Sequence, residues 1–291
     1  MSNSQTGKPL ILGCGYVGNR LSQRLQELEL AHEVSSRKPS EIISTLVSTK
    51  NLDLDLGSDT ICNSHVWYFC PPVASGLVDQ RMKKFLQHYS PNTTPSKVVY
   101  ISTTGTYGNC QGQWVNEQQP PKPDTDRAKR RLDAEQQLLQ WCQDTNNQYV
   151  ILRVAGIYGP ERLPLKRLKE QQPMISEQEA PWSNRIHVDD LVEICLKAMN
   201  STKTNQIYNV ADGSPTNMAH YFNTLADKAN LPRPPLVSLE DPDNGLSAGM
   251  LSYLKESRRI DNSKVLKELD LELLYPDLET GLEQALATTA S

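Results

Sequence analysis

The sequence predicts an α/β protein, a doubly wound parallel sheet with a small C-terminal lobe, and three observations carry that expectation. Short apolar runs alternate with helical patterns through the first two-thirds of the 291 residues, as βαβ units require. The stretch Gly13-Cys14-Gly15-Tyr16-Val17-Gly18 follows the first apolar run directly and opens an amphipathic pattern. Beyond Gly156 the alternation weakens, and Gly159-Pro160, Pro173, Pro181 and a proline-rich run at 232–235 punctuate short helices.

A first strand is expected at 9–12, followed by a helix on which Val17, Leu21, Leu25 and Leu28 recur at helical spacing. Strands two and three are expected at 33–36 and 51–54. The apolar run 65–70 is the fourth, stopped by Pro71-Pro72. Val78, Met82, Phe85 and Tyr89 mark the next helix, and 97–102 the fifth strand. Residues 103–123, rich in Gly, Pro, Asn and Gln, read as a long loop of the functional kind. A helix over 124–145 places Ala128, Leu132, Leu139 and Cys142 on one face, and strands six and seven follow at 149–154 and 206–210. The expected domains are 8–156 plus 185–211 for the main sheet, and 157–184 plus 212–291 for the small lobe. No internal repeat is visible.

Composition narrows the partners. Hydrophobic residues make up 37% and charged residues 22%, enough apolar surface for burial to drive folding. The net charge of −4 gives no electrostatic case for nucleic acid or an anionic membrane. No apolar run approaches the roughly 18 residues of a membrane span. The polar start, 1–8, lacks an apolar signal core. Cys14, Cys62, Cys70, Cys110, Cys142 and Cys195 form no Cys-x-x-Cys pair, so neither a metal site nor a disulfide framework is expected. A reducing, cytoplasmic setting fits best.

Each glycine of G-x-G-x-x-G has a mechanical reason. Gly13 suits a tight turn, Gly15 lets backbone approach a pyrophosphate, and Gly18 permits close helix–strand packing. The backbone N–H groups at the start of the following helix, Tyr16 and Val17 among them, then face the diphosphate of a dinucleotide. The second strand ends on Ser35-Ser36-Arg37-Lys38 rather than on the acidic residue that usually holds an adenine ribose. Arg37 suits a 2′-phosphate, so NADP is the expected cofactor and NAD the alternative; the competing reading of Arg37 is a solvated basic turn. Asp55 has two readings as well, a contact to the adenine amino group or a cap on 57–60.

Four further stretches resemble the extended short-chain dehydrogenase/reductases, the group of nucleotide-sugar epimerases and dehydratases. Ile101-Ser102-Thr103-Thr104-Gly105-Thr106-Tyr107-Gly108 is similar to that group's hydroxyl-rich active-site loop. Leu152-Arg153-Val154-Ala155-Gly156-Ile157-Tyr158-Gly159-Pro160 is similar to its loop beside the nicotinamide. Asn184-Arg185-Ile186-His187-Val188-Asp189-Asp190-Leu191 and Tyr208-Asn209-Val210 resemble its return segment and final strand. Cys70-Pro71-Pro72, in place of the usual small-residue loop, points to a divergent branch. The resemblance implies a nicotinamide cofactor bound along Cys70, Pro71, Arg131 and Ala155 as well as the glycine turn. It also implies a small-molecule substrate lying among Thr103, Tyr107, Tyr158 and the second lobe.

One departure bears on chemistry. The group uses Tyr-x-x-x-Lys, and this chain has Arg127 and Arg131 at the matching positions. Arg131 is suited to hold ribose hydroxyls, but a guanidinium keeps its protons at any working pH and Arg127 cannot be the acid. Thr103 is either the catalytic hydroxyl or a hydroxyl satisfying the loop backbone. Tyr107 is either the substitute acid or a packing residue. His187 has a suitable pKa but precedes a strongly apolar helix, where a core histidine is the competing reading. Asp189 and Asp190 are expected to serve that helix's N-terminus. Arg162, Lys166, Arg167 and Lys169 form either a substrate-facing basic group or a solvated helix face. The expected function is an NAD(P)-dependent epimerase/dehydratase-like protein or reductase acting on a small carbonyl, hydroxyl or sugar-type substrate. The alternative is a non-catalytic NADP-binding regulator.

Overall fold

The computed structural model describes residues 8–35, 47–49, 65–87, 89, 95–241, 245–246, 251 and 253–289. Their central feature is a seven-stranded sheet: β1 (Leu10–Leu12), β2 (His32–Ser35), β3 (Val47–Thr49), β4 (His65–Tyr68), β5 (Lys97–Thr103), β6 (Gln148–Val154) and β7 (Gln206–Val210). The strand order is β7-β6-β5-β4-β1-β2-β3, and β1 pairs in parallel with both β2 and β4. The order therefore reverses between β1 and β4. In doubly wound sheets a ligand crevice opens at the carboxyl ends of the strands at such a reversal.

The strands read as apolar runs because both faces of a parallel sheet are covered; Leu10, Ile11 and Leu12 are all buried. Side chains alternate between the faces. Val66 and Tyr68 join a core with Met82 and Phe85 of α2 (Gln80–Gln87) and Leu138 and Cys142 of α3 (Asp126–Thr145). Tyr68 packs 4.9 Å from Phe85 and 5.7 Å from Tyr100, ring centre to ring centre. Trp67, between them, points the other way, and its indole N–H donates to Cys195 O at 3.0 Å. On that face Lys97 Nζ donates to Met199 O and Ser201 O at the end of the helix Val188–Asn200. A cation there satisfies the last carbonyls of the helix.

The element boundaries depart from the sequence expectation where a cap intervenes. The first helix, α1 (Tyr16–Glu27), stops before Leu28, which is exposed, because Glu29 adopts a left-handed φ of 56° and turns the chain. Val78 is also exposed, because Asp79 caps α2: its Oδ1 accepts from Arg81 N and Met82 N. On α3 the fully buried line runs through Ala128, Ala134, Leu138 and Cys142, leaving Leu132 and Leu139 half-buried. The strand expected at 51–54 lies outside the described residues; the strand paired to β2 is Val47–Thr49.

The chain divides into two compact units. The first comprises Met1–Thr106, Pro123–Arg153 and Leu191–Tyr208, and the second Tyr107–Lys122, Val154–Asp190 and Asn209–Ser291. Within the second, Trp114–Val115 pairs with Arg259–Ile260, and Gly156–Tyr158 with Arg185–His187. The stretch expected to be one long loop thus contains a short strand, preceded by a 3-10 turn at Thr104–Tyr107. The core of the second unit gathers Tyr158, Leu168, Met174, Tyr221, Phe222, Leu225, Leu278 and Leu282. Gly281 in the helix Leu278–Thr289 lets that helix seat on Tyr158, since a Cβ would lie 2.0 Å from the phenol oxygen. Among the described residues no helix is long and apolar enough to cross a membrane.

Candidate functional site

The glycine turn sits at the carboxyl end of β1. Gly13 N and Cys14 N both donate to Ser35 O, at 3.0 and 3.1 Å, which bends the chain toward β2. Gly13 has φ +94°, and a Cβ on it would lie 2.8 Å from Cys70 N. A Cβ on Gly18 would lie 2.6 Å from Gly13 O. The fold itself demands both glycines.

Gly15 is different. Its φ is −93°, which any residue adopts, and among the described residues nothing lies within 4 Å of the place a Cβ would occupy. It is exposed, and it stands at the N-cap of α1 with no side chain to bond the first-turn N–H groups. Those groups have no partner within a helix. Tyr16 beside it is half-buried, while Val17 turns into the core. Cys14 donates its thiol to Asn19 Oδ1 at 2.8 Å, and burial pushes its pKa up to about 11, which keeps it a thiol.

Arg131 closes the next part of the sheet edge. Its Nη1 donates to Ile101 O at 3.1 Å, to the Tyr100 phenol at 3.2 Å and, longest, to Cys70 O at 3.5 Å. The guanidinium therefore ties the ends of β4 and β5 together. Burial pushes the Tyr100 phenol up to about 12 despite Arg131. Pro71 is exposed and its carbonyl accepts from Arg81 Nη1. Thr103, at the end of β5, accepts from Gly105 N through its Oγ1 at 3.2 Å. Among the described residues its hydroxyl proton has no acceptor. Arg127 is exposed on the first turn of α3.

The structure brings Gly13, Cys70 and Arg131 together at the carboxyl ends of central strands in the first unit. Tyr107 and Ala155 fall in the second unit. Tyr107 is 1% exposed and donates its phenol to Asn209 Oδ1 at 2.7 Å. Asn209 is itself pinned by Val115 O and Asp261 O through its Nδ2. Of the two readings of Tyr107, this burial and this bond to an amide are the arrangement of a packing residue. Ala155 donates its N–H to Val210 O and packs in the same cluster as Tyr107. Arg37 and Asp55 lie outside the described residues.

The other candidates resolve toward packing. His187 is buried, its ring 4.2 Å from that of Tyr275 and 5.3 Å from that of Tyr158. Asp190 does not simply serve its own helix, because its carboxylate accepts from Leu274 N and Tyr275 N and holds that segment. Of the basic group, Arg167 lies over the Phe222 ring, and Lys166 is exposed beside Glu170. Sequence reading missed one buried ion pair. Glu135 of α3 takes Nε and Nη2 of Arg153 and the hydroxyl of Ser102, with both charged side chains almost fully buried.

Residues 72–211 match the model of the NAD dependent epimerase/dehydratase family. That stretch, just under half of the chain, is similar to an epimerase/dehydratase domain. No curated protein matches it. Among solved structures it is similar to a functionally unknown conserved protein from Silicibacter pomeroyi, with 26% identity, a TM-score of 0.82, and 98% of this chain and 100% of that one covered. It also resembles UDP-glucuronic acid 4-epimerase from Bacillus cereus in complex with UDP-glucuronic acid and NAD, at 17% identity and TM-score 0.78, covering 98% and 99%. UDP-glucose 4-epimerase from Thermotoga maritima matches at 18% identity and TM-score 0.74, covering 97% and 99%. These last two likenesses are of fold.

Proposed function

We propose that the first unit binds NADP on the glycine turn and that the protein acts on a small carbonyl, hydroxyl or sugar-type substrate held by the second unit. The observation that carries the reading is Gly15. Among the described residues nothing gives an internal reason for a glycine there, whereas a pyrophosphate approaching the start of α1 does. Cys70, Pro71 and Arg131 would hold the nicotinamide half of the cofactor, and Gly13, Gly15, Tyr16, Val17 and Gly18 the diphosphate. When bound, the nicotinamide donates or accepts a hydride.

The preference for NADP over NAD follows from β2 ending on Ser35 with Arg37 two residues on. A charge-assisted pair with a 2′-phosphate contributes about 1.5–3 kcal/mol, or roughly ten- to a hundredfold in affinity. Calorimetry should therefore show NADP binding wild type more tightly than NAD by that factor, and Arg37→Ala should erase the difference. Equal affinities in wild type would contradict the assignment.

For chemistry, Thr103 is the group this chain offers to a substrate oxygen, because its hydroxyl keeps a proton to donate. A positioned donor of this kind contributes about 10²–10³ in rate. Wild type should oxidise NADPH with a keto-sugar, a sugar nucleotide or a small ketone, and Thr103→Val should slow that turnover by this factor while binding NADPH unchanged. Chromatography of the products covers a redox-neutral epimerisation. One observation favours a second reading, a non-catalytic NADP-binding regulator: Tyr107 is sealed and Arg127 cannot exchange its proton. Tight NADPH binding with no turnover of any substrate in the panel selects that reading.

A further inference from the structure

Among the described residues, the second unit buries a guanidinium that its neighbours leave half used. Arg185 begins the strand Arg185–His187 and is 8% exposed. Its Cζ lies over the Tyr221 ring, 4.2 Å from the ring centre, and Nη1 donates to Thr216 Oγ1 at 2.8 Å. A guanidinium has five N–H donors. Among the described residues the Nε and Nη2 edge takes no acceptor, and no carboxylate comes within the 4.0 Å of an ion pair.

Asp212 is joined to Arg185 by a backbone hydrogen bond, Asp212 N to Arg185 O. Its carboxyl is turned elsewhere, accepting from Ser214 N at 3.0 Å. Burial pushes that carboxyl up to about 7 although Arg185 draws it down, so near neutral pH it supplies only part of a charge. The other groups that act on the guanidinium electrostatically are the phenols of Tyr221, Tyr253 and Tyr158. Of these Tyr253 reaches solvent, at 43% exposed. A guanidinium edge with no carboxylate beside it among the described residues favours an anion. The unused Nε–Nη2 edge is the one whose two parallel N–H groups match two oxygens of a carboxylate or phosphate. Stacking on Tyr221 and the bond to Thr216 fix the plane in which that edge lies.

We propose that Arg185 is the recognition point for an oxyanion, a phosphate or carboxylate group, on a small molecule bound by the second unit. This rests on the reading above only in taking that molecule to be the substrate; the anion site stands by itself. Two charge-assisted bonds at this edge imply at least about a tenfold contribution to affinity.

The test is calorimetric titration of the full chain with sodium phosphate and, separately, with sodium acetate. Gly15→Val runs beside wild type so that phosphate on the glycine turn is told apart. One anion should bind wild type and Gly15→Val alike, and which one does so identifies the group. Arg185→Met should weaken it about tenfold or more while NADPH affinity holds. Arg185→Lys keeps the charge without the fork and should weaken it severalfold. An anion response that is unchanged in Arg185→Met, or absent from Gly15→Val, overturns the proposal. If Arg185→Met does not fold, Arg185→Lys decides, and wild-type affinity in that variant overturns it. Loss of NADPH binding in wild type strikes the dinucleotide reading and leaves this one standing.

Discussion

Glu135→Ala should cost about 3–5 kcal/mol of folding stability, because it strands a buried guanidinium. Arg153 and Glu135 are 4% and 1% exposed, with Nη2 to Oε2 at 2.7 Å and Nε shared between both carboxylate oxygens at 3.2 Å. Ser102 Oγ donates to Oε1, so three elements, β5, α3 and β6, meet on one carboxylate. Removing the acceptor takes the carboxylate from Arg153 and the acceptor from the Ser102 hydroxyl in a buried site. Glu135→Leu combined with Arg153→Met removes both charges, and should unfold at higher urea than Glu135→Ala. A buried pair is strongly missed when one partner goes and weakly missed when both go. Urea unfolding of the variants measures this. A cost below about 1 kcal/mol for Glu135→Ala would mean that Arg153 finds another partner.

The second large effect is on binding. Gly15→Val should cut NADPH affinity about a hundredfold or more, since displacing a pyrophosphate from the start of α1 loses at least two charge-assisted bonds of about 1.5–3 kcal/mol each. The same substitution should barely touch the fold. The backbone at Gly15 is extended and the space beyond it is open, so the cost is at most the weak N-cap preference for glycine over valine, about 1 kcal/mol. Gly13 offers the contrast. There φ is +94° and a side chain would strike the backbone of Cys70, so substitution damages fold and binding together.

How much of this was legible in the sequence depended on the range of the interaction. The glycine turn was, because strand, turn and helix are neighbours in the chain and their geometry fixes the residue types. Strands β1, β4, β5, β6 and β7 were, because burial on both faces leaves a mostly apolar run. Helix ends were not: spacing alone carried the first helix on to Leu28, although the chain turns at Glu29. Asp79 before Met82 was a readable cap signal that Val78 masked.

The candidate site was less legible, since its decisive partners lie far away in the chain. Tyr107 stands in a loop where a phenol reads as available, and only the fold brings Asn209 against it, 102 residues on. Arg131 was found by its place on α3, but not that it would point at Ile101 O and Cys70 O. Arg185 sat inside a stretch already explained by its resemblance. Nothing in its sequence neighbours showed that it would be buried with no carboxylate beside it among the described residues.

The central claim is that the turn at 13–18 holds a dinucleotide and that Gly15 is glycine for the ligand rather than for the fold. The direct measurement is a fluorescence titration of wild type and Gly15→Val with NADPH, with thermal unfolding of both. The account predicts saturable binding by wild type, a loss of about a hundredfold or more in Gly15→Val, and nearly equal melting temperatures without ligand. Equal affinity in two folded proteins, or no binding by wild type, would contradict it.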